Sequence, residues 1–214
     1  MINIKLPLLL GTGKTNMPVI TDLFLLRRLL IAGKSDNAKN EMINRLLKSL
    51  VDNVGVDNFY VGTVNAKSVG KAPKNVQQIQ YPTLSGRMFT VRMQLVFVYN
   101  LISDRCVEYN SNDRPIVFIV CLPETFTPED RNILHDILLY GPAVGIYFIV
   151  MVKNMRGITK DLRFLLRNRI CFYDTKYRSR ITLGTEIANT LSPTKNDMWF
   201  FTGDKELEHI LWQV

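Results

Sequence analysis

The sequence predicts an α/β fold, a mainly parallel β-sheet with helices on both faces. Wholly apolar runs, Ile116–Leu122 (IVFIVCL) and Gly145–Val152 (GIYFIVMV), read as strands buried on both sides. Around them lie segments of helical periodicity, so strand and helix alternate along the chain. That alternation is what parallel strands joined by helical crossovers require.

Leu29–Ala32 is a short apolar strand. Lys39–Val51 is a helix, with Met42, Ile43, Leu46, Leu47, Leu50 and Val51 on one face and Asn40, Glu41, Asn44, Arg45 and Lys48 opposite. Phe59–Val64 is rich in strand formers. Gly70–Pro82 reads as a loop. Arg87–Tyr109 is helical by length and apolar almost all round its middle, which predicts a well-buried helix. Tyr109–Pro115 is turn-rich and leads into the Ile116 strand. Thr127-Pro128-Glu129-Asp130 starts a helix: Thr127 caps it, Pro128 fits the first turn, and the acids face its positive end. Its apolar stripe is Ile133, Leu134, Ile137 and Leu138. After the Gly145 strand come a short helix over Ile158–Asn168, a strand over Arg169–Tyr173 and a last strand over Met198–Phe201.

The chain has 214 residues, 47% of them hydrophobic and 21% charged, which suits one globular domain and excludes a disordered chain. The three cysteines, Cys106, Cys121 and Cys171, form no CxxC pair, so a disulfide scaffold is excluded and a zinc site is not expected. Two of them sit in apolar strands, as reduced thiols do, and the setting is expected to be reducing. No apolar run approaches the roughly 18 residues a transmembrane helix needs, and no signal peptide is evident. His135 and His209 have no sequence-level partners for a metal pair or a triad.

Two segments resemble a phosphate-binding loop, whose backbone N–H groups cradle phosphate at a helix start. Gly11-Thr12-Gly13-Lys14-Thr15 has Leu8 where the leading glycine belongs and no helix after it, so it reads as a plain β-turn. Gly33–Asn40 (GKSDNAKN) has the right context, since it follows a strand and opens an amphipathic helix. Gly33 and Lys39 keep the spacing of GxxxxGK[ST]. Ala38 replaces the second glycine, where a Cβ would crowd the phosphate, and Asn40 replaces the hydroxyl that holds Mg²⁺. The candidate nucleotide-binding residues are therefore Gly33, Lys34, Ser35, Asp36, Asn37, Ala38, Lys39 and Asn40; an ordinary strand–turn–helix connection is the alternative.

At these residues the chain resembles the FtsK/SpoIIIE motor domain. LPLLLG, MPVITDL and RRLLIAGKSDNAKNEMINRLLKSLV are similar to the strand pair and phosphate loop that open it. Thr63–Val69, Ile116–Cys121, Ala143–Met151, Thr175–Ile181 and Asn196-Asp197-Met198 match further segments in the family's order, so the resemblance runs from about Leu6 to Gly203. It implies a RecA-like P-loop NTPase fold, with residues 1–214 a single module that can belong to a longer protein. It also implies ATP binding, duplex DNA binding and assembly into a ring.

Departures from the family pattern argue against hydrolysis. Cys121 and Leu122 stand where the Walker B Asp and Glu belong, Asn65 where a second-strand Asp belongs, and Lys153 where a sensor Gln belongs. Without those carboxylates neither Mg²⁺ nor the attacking water is held. Glu124, two residues beyond, would be displaced by several ångströms, since a strand advances about 3.3 Å per residue. ATP binding is expected to be weak and Mg²⁺ doubtful. Degenerate modules of this kind occur in the membrane ATPases of type VII secretion. The second expectation is therefore a cytosolic module of a membrane-anchored assembly that binds a secreted protein or neighbouring modules.

The charge is uneven. Arg156–Arg180 carries eight basic residues against Asp161 and Asp174, and so holds most of the chain's net +8. Lys160, Arg163 and Arg167 share one helix face by their i, i+3, i+7 spacing, with Leu162, Leu165 and Leu166 forming the buried side. That face, together with Arg178 and Arg180, is the candidate DNA or subunit interface; Arg180 matches an arginine of the family's SKIDSRT segment. A solvated basic face is the plain alternative.

Overall fold

The computed structural model describes residues 5–66, 76–79, 90–108, 110, 113–123, 126–153, 155, 158–193, 197–203 and 207–212. Nine strands form one sheet: β1 (Pro7–Thr12), β2 (Pro18–Asp22), β3 (Arg28–Ala32), β4 (Tyr60–Val64), β5 (Ile116–Cys121), β6 (Ile146–Met151), β7 (Arg169–Cys171), β8 (Asp197–Phe201) and β9 (Glu208–Leu211). Their order is β2-β1-β9-β8-β7-β3-β6-β5-β4. From β7 to β4 all pairings are parallel. From β2 to β7 all are antiparallel. The predicted parallel sheet is thus the α/β core, extended on one side by an antiparallel group.

Helices cover both faces, as the sequence implied. Helix α1 (Leu23–Leu26) is a single turn; α2 is Asp36–Val54, α3 Val91–Glu108, α4 Pro128–Tyr140, α5 Lys160–Leu165 and α6 Lys176–Leu183. Side chains alternate along each strand. Leu29 and Ile31 of β3 therefore join Met42, Ile43, Leu46, Leu47 and Leu50 of α2 in one core. Leu30 and Ala32 join Leu95, Val98 and Ile102 of α3, Leu134, Ile137 and Leu138 of α4 and Leu162 of α5 in the other. Every residue of β5 and β6 is buried, as their unbroken apolar runs require. The α4 cap is as expected: Thr127 accepts from the Asp130 N–H, with Pro128 in the first turn.

Four details differ from the sequence reading. Helix α3 is not buried all round: only Leu95, Val98 and Ile102 are buried, whereas Val96, Tyr99 and Val107 are exposed. Apolar residues on every side give no preferred face, so periodicity cannot orient such a helix. Helix α5 ends at Leu165, with Leu166 as its C-cap, rather than running to Asn168. The last strand is β9, after β8; its Glu208 and His209 break the apolar pattern of a short strand. Helix α2 begins at Asp36, three residues before Lys39.

The decoy segment is a turn. Gly11 and Thr12 lie in β1, and the Gly13 N–H donates to Met17 O while the Asn16 N–H donates to Gly13 O, closing the hairpin into β2. Glu124, Arg156 and most of Gly70–Pro82 lie outside the described residues.

Candidate functional site

The C-terminal ends of β3, β5, β6 and β7 meet at one edge of the parallel core. Strand β3 has β6 on one side and β7 on the other, and α2 leaves from its end toward β4. Such a switch point is where open α/β sheets bind ligands. Gly33 is required there: its φ is 142°, and a Cβ would lie 2.8 Å from that of Phe172. The next residue is fixed too, its Lys34 N–H donating to Tyr173 O at 3.0 Å.

The turn after Gly33 is short. Ser35 is already the N-cap of α2, its hydroxyl accepting from the Ala38 N–H at 3.2 Å, and the Lys39 N–H donates to Ser35 O. Asp36, Asn37 and Ala38 are therefore helical. A phosphate loop keeps that stretch open so that its N–H groups converge on phosphate. Here the spacing between Gly33 and Lys39 survives in sequence, while the loop is wound into the first turn of α2.

Lys39 is fully buried. Its Nζ lies 2.8 Å from Asp36 Oδ1 and donates to Val152 O, just past β6, at 3.1 Å. Asn40, next in the helix, has a buried Oδ1 with no hydrogen-bond partner.

At the end of β5, in the segment expected to match a Walker B strand, lie Cys121 and Leu122, both buried. Burial pushes the Cys121 thiol up to about 12, against the opposing pull of nearby Lys39. The Cys121 carbonyl accepts from Asn65 Nδ2 at 2.9 Å, and the Asn65 N–H donates to Gln94 Oε1 of α3 at 2.7 Å. Asn65 adopts φ 54°, which asparagine tolerates better than most residues. Its side chain thus ties β4 to β5 in a way the aspartate expected there cannot, since a carboxylate does not donate. Its role was not visible in sequence, where it registered only as a missing acid.

The described residues around Lys39 do not fit a triphosphate, because the loop is wound into α2 and the ammonium is paired with Asp36. Among the described residues no group of three or more His, Cys, Asp and Glu gathers to hold a metal ion. The carboxylate nearest the lysine, Asp36, is bound to it. Beside the α2 start lies a cleft of about 310 Å³ lined by Lys34, Ser35, Ala38, Phe172, Tyr173, Ser192, Pro193 and Asp197. Asp197, in the segment that matched the family's closing motif, is buried, with Oδ2 3.6 Å from His209 Nε2.

The basic stretch is not one free face. Arg163 turns back on its own segment, donating to Ile158 O at 3.0 Å and Met155 O at 3.3 Å. Arg169 reaches Leu166 O, Thr182 O and Arg163 O. In α6, Arg180 and Lys176 pair with Glu186, and Arg178 lies 4.0 Å from buried Asp174. Lys160 and Arg167 are exposed, but Arg167 lies beyond the end of α5, so the three do not share one helix face. Leu162, Leu165 and Leu166 are buried as expected.

The sheet and its two helical layers have the RecA-like fold of P-loop ATPases. Within that class the fold is that of the FtsK/SpoIIIE-type ATPase domains. The cytoplasmic domain of the Thermomonospora curvata type VII secretion ATPase EccC superposes with a TM-score of 0.75 at 15% identity, over 97% of this chain and 28% of that one. The pCW3 conjugation coupling protein TcpA, solved with ATPγS, gives 0.71 at 14% identity, over 99% and 67%. ATPases 2 and 3 of T. curvata EccC, in complex with a signal sequence peptide, give 0.69 at 10% identity, over 99% and 41%. The chain thus spans well under half of either EccC structure. No family profile matches the sequence, and no curated protein is similar to it. No described helix is long and apolar enough to cross a membrane.

Proposed function

We propose that this chain is a non-hydrolysing module of ATPase fold that works by binding protein, either a secretion substrate or neighbouring ATPase modules. The observation that carries this is the closed start of α2: the phosphate loop is helical and its lysine is bound to Asp36. Cys121 and Leu122 remove the two carboxylates that phosphoryl transfer needs. The likeness to the EccC structure with a signal sequence peptide supports a protein partner. Arg163 and Arg169 are tied to main-chain carbonyls, and Arg178 and Arg180 pair with Asp174 and Glu186, so the basic stretch is not a single unpaired face for duplex DNA. The module belongs, on this view, to the cytosolic part of a membrane-anchored machine.

The test is a pair of titrations with a rate measurement. ATP should bind more weakly than about 1 µM, which corresponds to less than about 8 kcal/mol. Turnover with Mg²⁺ should equal that of a Lys39→Ala control. A Mg²⁺-dependent rate that vanishes in that control would overturn the proposal. So would duplex DNA binding with a steep salt dependence and no binding of signal-type peptides.

A further inference from the structure

The lysine that would meet phosphate is not merely idle; it already has an anion. The Asp36 carboxylate lies 2.8 Å from Lys39 Nζ, and its side chain is 64% exposed while that of Lys39 is 1% exposed. The carboxylate therefore stands between the buried ammonium and solvent. It also sits in the first turn of α2, beside the Ser35 cap, where the helix favours negative charge. Those are the two attractions a phosphate would find here, a lysine ammonium and a helix N-terminus.

The same feature that removes the loop supplies this anion. Asp36 and Lys39 are three residues apart, and only a helical backbone stacks such a pair on one face. Early winding of α2 and occupation of the lysine are thus one structural event.

We propose that Asp36 is a built-in substitute for phosphate: it occupies Lys39, keeps phosphate compounds out, and covers an anion site that its removal uncovers. The ligand class of the uncovered site is a phosphate or pyrophosphate group without Mg²⁺, since among the described residues no group of three or more His, Cys, Asp and Glu gathers to hold a metal ion. This rests on the non-hydrolysing assignment above.

The experiment titrates inorganic pyrophosphate, without metal, into the full chain by calorimetry. The native chain should show no saturable binding in the low-millimolar range. Asp36→Ala should bind at least about tenfold tighter, the scale of one charge-assisted hydrogen bond regained. Adding Lys39→Met to that variant should abolish the gain. Asp36→Asn, nearly the same size as the native residue, is measured in parallel, in case the alanine variant does not unfold cooperatively. No gain in either single variant overturns the proposal. A gain that survives Lys39→Met also overturns it, because Lys34 or the helix end would then account for the binding. Native-chain binding as tight as that of the variants overturns it too. Failure of the non-hydrolysing assignment reads out separately, as Mg²⁺–ATP turnover by the native chain.

Discussion

The Lys39 ammonium donates to the main-chain oxygen of Val152 across 3.1 Å, joining α2 to the chain just past β6. A lysine used for phosphate must leave its ammonium available. This one is buried and serves as a tie between two elements. Lys39→Ala should therefore cost about 2–5 kcal/mol, as deletion of a large buried side chain does. Lys39→Met, which keeps the stem and loses the donors, should cost about 1–3 kcal/mol. Urea unfolding checks both; a change within about 0.5 kcal/mol, the range of ordinary surface substitutions, would count against the structural role.

Asn65 gives a second test. Its Nδ2 donates to Cys121 O at 2.9 Å. Asn65→Asp, which restores the residue the family pattern expects, places an anionic acceptor against a carbonyl oxygen. It should destabilise by about 1–3 kcal/mol at neutral pH, the cost of an unmet buried polar group. The loss should shrink as pH falls and the new carboxyl takes up a proton that it can donate. Stability of the variant relative to the native chain, followed from pH 7 into the acid range, should rise. A gap independent of pH would show that the amide donor is not what matters.

These two residues show where the sequence was legible. Strands β5 and β6 and the start of α4 are written in patterns that depend on neighbours in sequence: unbroken apolar runs and a Thr-Pro-Glu-Asp cap. The site is written in contacts between distant residues. Asn65 meets Cys121 and Lys39 meets Val152 only once the strands align. The winding of residues 36–38 was hidden because Asp and Asn are weak helix formers and read as loop. The three-residue step from Asp36 to Lys39 was the signal that could have shown it. Helix α3 departs from its sequence pattern for a simpler reason: Val96, Tyr99 and Val107 are apolar and face outward.

The cysteines divide by burial. Cys106 is exposed, whereas burial pushes the Cys121 and Cys171 thiols each up to about 12. One thiol should react with a thiolate-directed reagent at pH 8, and the other two only on unfolding. The two buried thiols also make stability depend on pH. In the unfolded chain they ionise near the ordinary 9.0, in the folded chain only near 12. Their contribution is intact below about pH 9 and is lost as pH rises from there towards 12. Rapid labelling of Cys121 in the native chain would mean that the end of β5 opens to solvent.

The basic stretch gives the last test. Lys160, Arg163 and Arg167 looked interchangeable in sequence, yet their environments differ. Arg163 donates to two carbonyls, and its own carbonyl accepts from Arg169. Arg163→Glu should therefore destabilise by about 1–3 kcal/mol through lost hydrogen bonds and a half-buried opposite charge. Lys160→Glu, at an exposed site in the first turn of α5, should stay within about 0.5 kcal/mol. For DNA, the pair to reverse is Lys160 and Arg167, the two of the three that are exposed. If the face holds phosphates, Lys160→Glu with Arg167→Glu should lower the salt slope of duplex binding by about two, one per contact. The protein-binding assignment predicts weak duplex affinity that this pair of changes leaves unaltered. Measuring the slope for the native chain and the double variant, with unfolding curves for both, separates a loss of DNA contacts from a loss of structure.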